Sequence, residues 1–198
     1  MAEPVPVRLL GISGSLQRNS ANRRLLVATR GLLPPFLRLE IFDGLKSVEP
    51  FDEDDEAAPP AGAIAFREAL AAVDGVVIAT PEYNSTLPGQ LKNALDWASR
   101  PRATSVLIGK PVLVIGASPS RFGALRAQEQ VRSALRASGA DAADLGFALA
   151  DAFAQFDAGG ALRSEIVQHE LSRVLGGFGA HLRNTPTIAP GRPGSSAA

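Results

Sequence analysis

The sequence predicts an α/β fold: a five-stranded parallel sheet in the order 2-1-3-4-5 with helices on both faces, a three-layer sandwich. Three observations carry this. Strand-like apolar runs and helical patterns alternate five times along the chain. Two of the runs, DGVVIAT at 74–80 and PVLVIGA at 111–117, are continuously apolar and rich in β-branched residues, as strands covered on both faces are. Two polar turns, at 11–22 and from 81 onward, each join an apolar strand to a helix. In an open parallel sheet such turns gather at the carboxyl edge, where ligands bind.

Each element has its own warrant. The first strand is 7–12. Ser20 then stands as a helix cap, and Leu25, Leu26, Thr29, Leu32 and Leu33 recur on one helical face. Pro34 and Pro35 end that helix, since neither has an N–H to continue it. Residues 36–42 alternate apolar and polar, which suits a strand nearer the sheet edge. Residues 43–60 are the most polar internal stretch, and the acidic run Asp52–Glu56 lacks the glycine and spaced ligands of a calcium loop. It reads as a solvated linker. A helix is expected over 61–72. After the strand at 74–80, Leu87, Leu91, Ala94, Leu95 and Ala98 stripe another helix. After the strand at 111–117, residues 122–138 read as helix and 144–150 as the fifth strand. Leu162, Ile166, Val167, Leu171, Val174, Leu175 and Phe178 mark the final helix. The remainder is rich in Pro, Gly and Ser, which implies one domain at 1–183 and a disordered tail at 184–198.

Composition removes several functions. A chain of 198 residues can bury about 70% of its unfolded surface without staples. The absence of cysteine excludes disulfides, thiolate catalysis and cysteine-held metals, and two histidines, His169 and His181, cannot make a His-rich centre, so no metal site is expected. Twenty basic residues balance twenty acidic ones, leaving no basic stripe for nucleic acid. No apolar run approaches the ~20 residues of a membrane span, and the first residues do not resemble a signal peptide, so a cytoplasmic protein is the expectation.

The first turn, GISGSLQRNSAN, is neither a Walker A loop nor G-x-G-x-x-G. It places Ser13, Ser15, Ser20 and Asn22 around the start of a helix. Hydroxyls and free N–H groups there suit a phosphate, a phosphomonoester above all. The plainer reading, turn and cap residues only, is outweighed by the position after the first buried strand. The second turn reads Pro81-Glu82-Tyr83-Asn84.

With both turns in view, the chain resembles the NADPH-dependent FMN reductase family of flavodoxin-like proteins, which includes bacterial quinone, chromate and azo-dye reductases. One signature stands as Gly14-Ser15-Leu16-Gln17-Arg18-Asn19-Ser20-Ala21-Asn22. The other is Pro81–Asn84 followed by Pro88-Gly89-Gln90-Leu91-Lys92-Asn93-Ala94-Leu95-Asp96-Trp97. The resemblance implies that Ser15, Gln17, Ser20 and Asn22, with Ser13 and Arg18 beside them, hold the phosphate of FMN. Pro81, Glu82, Tyr83 and Asn84 would run along the flavin ring through backbone groups. Ser118 and Gly123 would close the ring's other edge. Where the family carries an arginine in the phosphate loop, Gln17 stands here with Arg18 next to it.

The implied activity is hydride transfer from NADPH or NADH through FMN to a small electron acceptor, a quinone or flavin among others, in a ping-pong cycle with no obligatory side-chain acid or base. A homodimer or homotetramer is implied, with the helix at 87–98 at the interface. The Glu82 side chain is expected to be structural, Trp97 to pack in the core or between subunits, and His169 to be exposed. Tyr83 has three readings: against the flavin, over a neighbouring subunit's site, or filling the sheet edge. Two alternatives remain: an electron carrier like flavodoxin, which a net charge of zero disfavours, and a flavin-free module that binds a phosphorylated ligand or a partner.

Overall fold

The computed structural model describes residues 6–185. Its elements are β1 (Val7–Ser13), α1 (Ala21–Leu32), β2 (Leu37–Phe42), α2 (Ala61–Ala71), β3 (Gly75–Thr80), α3 (Gly89–Ala98), β4 (Pro111–Ala117), α4 (Leu125–Ala137), β5 (Asp141–Ala142), β6 (Ala148–Leu149) and α5 (Glu165–Asn184). Every strand pair is parallel, and the order β2-β1-β3-β4-β5 is the one the sequence predicts. Of the tail expected over 184–198, Asn184 is instead the last residue of α5, and residues 186–198 lie outside the described residues.

The pleat explains why two layers of helix are needed. Successive side chains of a strand point to opposite faces. Leu10, Ile12, Val76, Ile78, Val112 and Val114 therefore share one core with Phe66 and Leu70 of α2, Leu91 and Leu95 of α3, and Val131 and Leu135 of α4. Leu9, Val77, Ala79, Leu113 and Ile115 share the other with Leu25 and Leu26 of α1 and Leu171, Val174 and Phe178 of α5. β3 and β4 are buried at every position, whereas β2, the edge strand, alternates. The Asp52–Glu56 stretch is more ordered than a linker. A 3₁₀ turn spans Glu53–Ala57, and Arg100 holds it through Glu53 at 3.1 Å and Glu56 at 2.7 Å.

Three boundaries differ from expectation. The fifth strand, predicted over 144–150, is instead two short pieces on one edge of β4. β4 advances four residues between its pairings Val112↔Ala142 and Gly116↔Ala148, and the opposing chain advances six. The surplus residues cannot stay in register, so the chain leaves the sheet and returns. α4 begins at Leu125 rather than 122 because Gly123 (φ 55°) and Ala124 (φ 63°) are left-handed, which a right-handed helix cannot include. α5 begins at Glu165, so Leu162 packs from outside the helix and Ile166, in its first turn, faces solvent at 81% exposure.

Candidate functional site

Three loops leave the carboxyl ends of β1, β3 and β4. They are residues 14–20, 81–88 and 118–124, and α1, α3 and α4 follow them. Hydrogen bonds tie each loop to another loop or to a neighbouring element.

In the first loop, Gly14 N donates to Ala79 O at 2.8 Å. A Cβ at Gly14 would lie 3.0 Å from Leu91 and 3.3 Å from Pro81, so glycine lets β1 approach the second loop closely. Ser13 and Ser15 are buried; the Ser13 hydroxyl donates to Ser15 O at 3.2 Å, and Ser15 Oγ accepts from Gln17 N at 3.3 Å. Ser20 caps α1 by accepting from Asn22 N at 3.2 Å. The loop's own bonds use the N–H groups of Gln17 and Ser20, and those of Leu16, Arg18 and Asn19, on exposed residues, have no partner among the described residues. Free N–H groups at a helix start, flanked by serines and Arg18, match the oxygens of a phosphate. Gln17 and Arg18 are both exposed beside them.

Asn22 lies under this loop. Its Nδ2 donates to Ala117 O at 2.9 Å and its Oδ1 accepts from Ala117 N at 2.9 Å. Both polar atoms of a side chain only 2% exposed are engaged with the end of β4. Its side chain ties the start of α1, just after the first loop, to the end of β4, just before the third.

The second loop folds back on itself. Tyr83 and Thr86 exchange N–H···O bonds of 3.0 Å, and the residues between them, Asn84 (φ 49°) and Ser85 (φ 65°), are both left-handed. Two positive φ values in a two-residue turn are the type I′ pattern. The turn presents Tyr83, half exposed, with its hydroxyl 3.3 Å from Ser15 Oγ. The Glu82 carboxylate accepts from Arg126 N at 3.1 Å and Ala127 N at 3.3 Å, so it caps α4 from outside, where Ala124 has no side chain to do so. That is the structural role expected of it.

In the third loop Ser118 is buried, its N–H donates to Leu149 O at 3.0 Å and its hydroxyl to Ser120 Oγ at 3.0 Å. Gly123 is buried too, and a Cβ there would come within 2.7 Å of Ala148. Arg121 lies over the Phe122 ring at 4.8 Å, and that ring is 56% exposed. Leu16, Leu125 and Phe153 are exposed large apolar residues on the same loops or next to them. Two further expectations hold. Trp97 is buried and donates to Glu49 O at 2.9 Å, and His169 is exposed.

Sequence reasoning missed α4 as the support of this site. Gln130 accepts from Leu87 N at 3.0 Å and from the Thr86 hydroxyl, and Gln128 donates to Gly123 O at 3.0 Å. One signal was available: Gln128 falls on the stripe that Val131 and Leu135 continue, and a polar residue on a buried stripe needs partners.

A family model, that of the NADPH-dependent FMN reductases, matches residues 7–154, which takes in all three loops. The chain belongs to this family. Among its relatives, an NAD(P)H-dependent FMN reductase of Pseudomonas aeruginosa is 44% identical over 131 residues, 65% of this chain and 69% of the relative. A 2-hydroxy-1,4-benzoquinone reductase of a Burkholderia species is 40% identical over 126 residues, 64% and 68% of the two chains. The flavoenzyme FerB of Paracoccus denitrificans, an NAD(P)H:(acceptor) oxidoreductase, superposes with a TM-score of 0.83 at 27% identity, covering 90% of this chain and 98% of that one. A flavodoxin of Bacillus cereus shares the fold at 15% identity and a TM-score of 0.58. The family's cofactor is FMN, and the unpaired N–H groups of the first loop fit its phosphate. No described helix is long and apolar enough to cross a membrane.

Proposed function

We propose that this FMN reductase family member passes reducing equivalents from NADPH or NADH through bound FMN to a small acceptor, quinones first among them. The observation that supports this is the bracing of the carboxyl-edge loops: Ser15 to Tyr83 between the first two, Asn22 of α1 to Ala117 at the end of β4, and Glu82 to α4. A site preassembled in this way loses little entropy on binding a rigid ring.

Bound FMN supplies the hydride relay at its N5 atom. The chain's own residues bind, orient and shield. Ser13, Ser15, Gln17, Arg18 and Ser20 line the phosphate end, with Asn22 bracing them from below. Pro81, Glu82, Tyr83 and Asn84 follow the ring with their backbone, Glu82 keeping its carboxylate on α4. Ser118 and Gly123 bound the far edge. Leu16, Tyr83, Phe122 and Phe153, exposed on or beside these loops, would frame an opening that suits a flat aromatic guest. Donor and acceptor would use that opening in turn, which is a ping-pong cycle. Nothing in this scheme needs a side-chain acid or base. The two relatives named above, by name an FMN reductase and a benzoquinone reductase, support a small aromatic acceptor. We further propose a cytoplasmic homodimer or homotetramer, with residues 1–183 as the folded reductase domain.

The test is an absorbance spectrum of the protein after incubation with FMN and desalting. Retained flavin bands that bleach with NADPH or NADH, and recover on adding a quinone, support the reductase. Bands that neither nucleotide bleaches would point to an electron carrier, and no retained flavin would overturn the reading.

A further inference from the structure

Gln128 is 1% exposed and sits where three backbones meet. Its Nε2 donates to Gly123 O at 3.0 Å and to Phe147 O at 3.2 Å. Phe147 O also accepts from Gly116 N of β4 at 2.8 Å. A Cβ at Gly116 would lie 2.8 Å from Gln128 Nε2 and 2.9 Å from Gly123 O, so β4 is bare where the amide enters. Gly123 is left-handed and pressed against Ala148. One side-chain amide thus joins α4, the third loop, β4 and the chain returning to β6.

The same turns of α4 hold the second loop. Arg126 N and Ala127 N bind Glu82, and Gln130 binds Leu87 N and Ser85 O. The spacing between the second and third loops is therefore set through α4. We propose that Gln128 is a positioning residue for the flavin slot, fixing the third loop against the second by hydrogen bonds to Gly123 and Phe147; this rests on the FMN reading above. A leucine of similar size would fill the space, leave Gly123 O without a donor and leave Phe147 O with Gly116 N alone, so nothing but packing would hold the third loop to α4.

The experiment compares Gln128→Leu and Gln128→Glu with Leu135→Ala, which weakens the core at the other end of α4. The readouts are FMN dissociation constant by fluorescence titration, visible circular dichroism of the bound flavin, and melting temperature of the FMN-free protein. Gln128→Leu is expected to raise the dissociation constant about tenfold and to change the flavin dichroism. Leu135→Ala is expected to melt at least as early and bind FMN within about twofold of the parent. In Gln128→Glu only the protonated acid can donate, so its affinity relative to the parent at the same pH should recover as pH falls from about 8 to about 5.

If Gln128→Leu binds FMN as tightly as Leu135→Ala, with the same dichroism, Gln128 is a core residue only and the proposal fails. If Gln128→Leu does not fold, Gln128→Glu decides: an affinity ratio flat with pH overturns it as well. Failure of the parent protein to bind FMN would sink the reductase reading itself, and this proposal with it.

Discussion

Asn22 illustrates how a residue that reads as a ligand contact can serve the frame beneath it. Replacing it with leucine strands both the N–H and the C=O of Ala117, and the expected loss is about 2 to 3 kcal/mol. A denaturant titration checks it; a loss under about 0.5 kcal/mol would mean that the tie carries little. Gln17 is the opposite case, an exposed residue open to a phosphate. An arginine there offers a charge-assisted bond, so Gln17→Arg should tighten FMN binding by about fivefold at low salt, and less as salt rises. Equal affinities in the two proteins would place the phosphate elsewhere.

Among the elements, the second loop stores strain where function needs a fixed turn. Asn tolerates positive φ, but Ser85 at φ 65° does so at a cost of roughly 1 kcal/mol. Ser85→Gly should therefore raise stability by up to about 1 kcal/mol, less whatever the weak 3.3 Å bond from Arg126 contributes. Thermal melting without FMN measures this directly. At the opposite end of β4, Lys110 donates to Val73 O at 2.6 Å, and burial lowers its pKa from 10.5, with Asp74 partly opposing the shift. The unfolded chain then holds more protons than the folded one just below 10.5, so this group's contribution to stability rises with pH in that window. Lys110→Gln should flatten that rise. A slope unchanged by the substitution would show that Lys110 is not its source.

At the scale of the whole molecule, the open question is how copies of the chain assemble. A cavity of about 410 Å³ lies between α3 and α4, lined by Lys92, Leu95, Asp96, Arg100 and Ala134 among others. It sits on the helix that the family resemblance places between subunits. Light scattering coupled to gel filtration should give two or four times the 20.6 kDa of one chain. A mass of one chain at micromolar concentration would leave the expected homo-oligomer without support. Removing residues 184–198 should leave FMN binding within about twofold, because the three loops end at residue 124; a larger loss would extend the domain into the tail.

Strand order, the two-faced core and the two signature loops were legible in the chain itself. They depend on local patterning: β-branched runs, helical stripes and residue types suited to particular turns, all read at short range. The divided fifth strand, the Asn22 tie, the Glu82 cap on α4 and the Gln128 junction were decided by tertiary structure. Each depends on a backbone group brought close by the fold from far along the sequence, Ala117 to Asn22 and Arg126 to Glu82 among them. A side chain's type states what bonds it can make. Only the packed chain decides which partner is near enough to satisfy it.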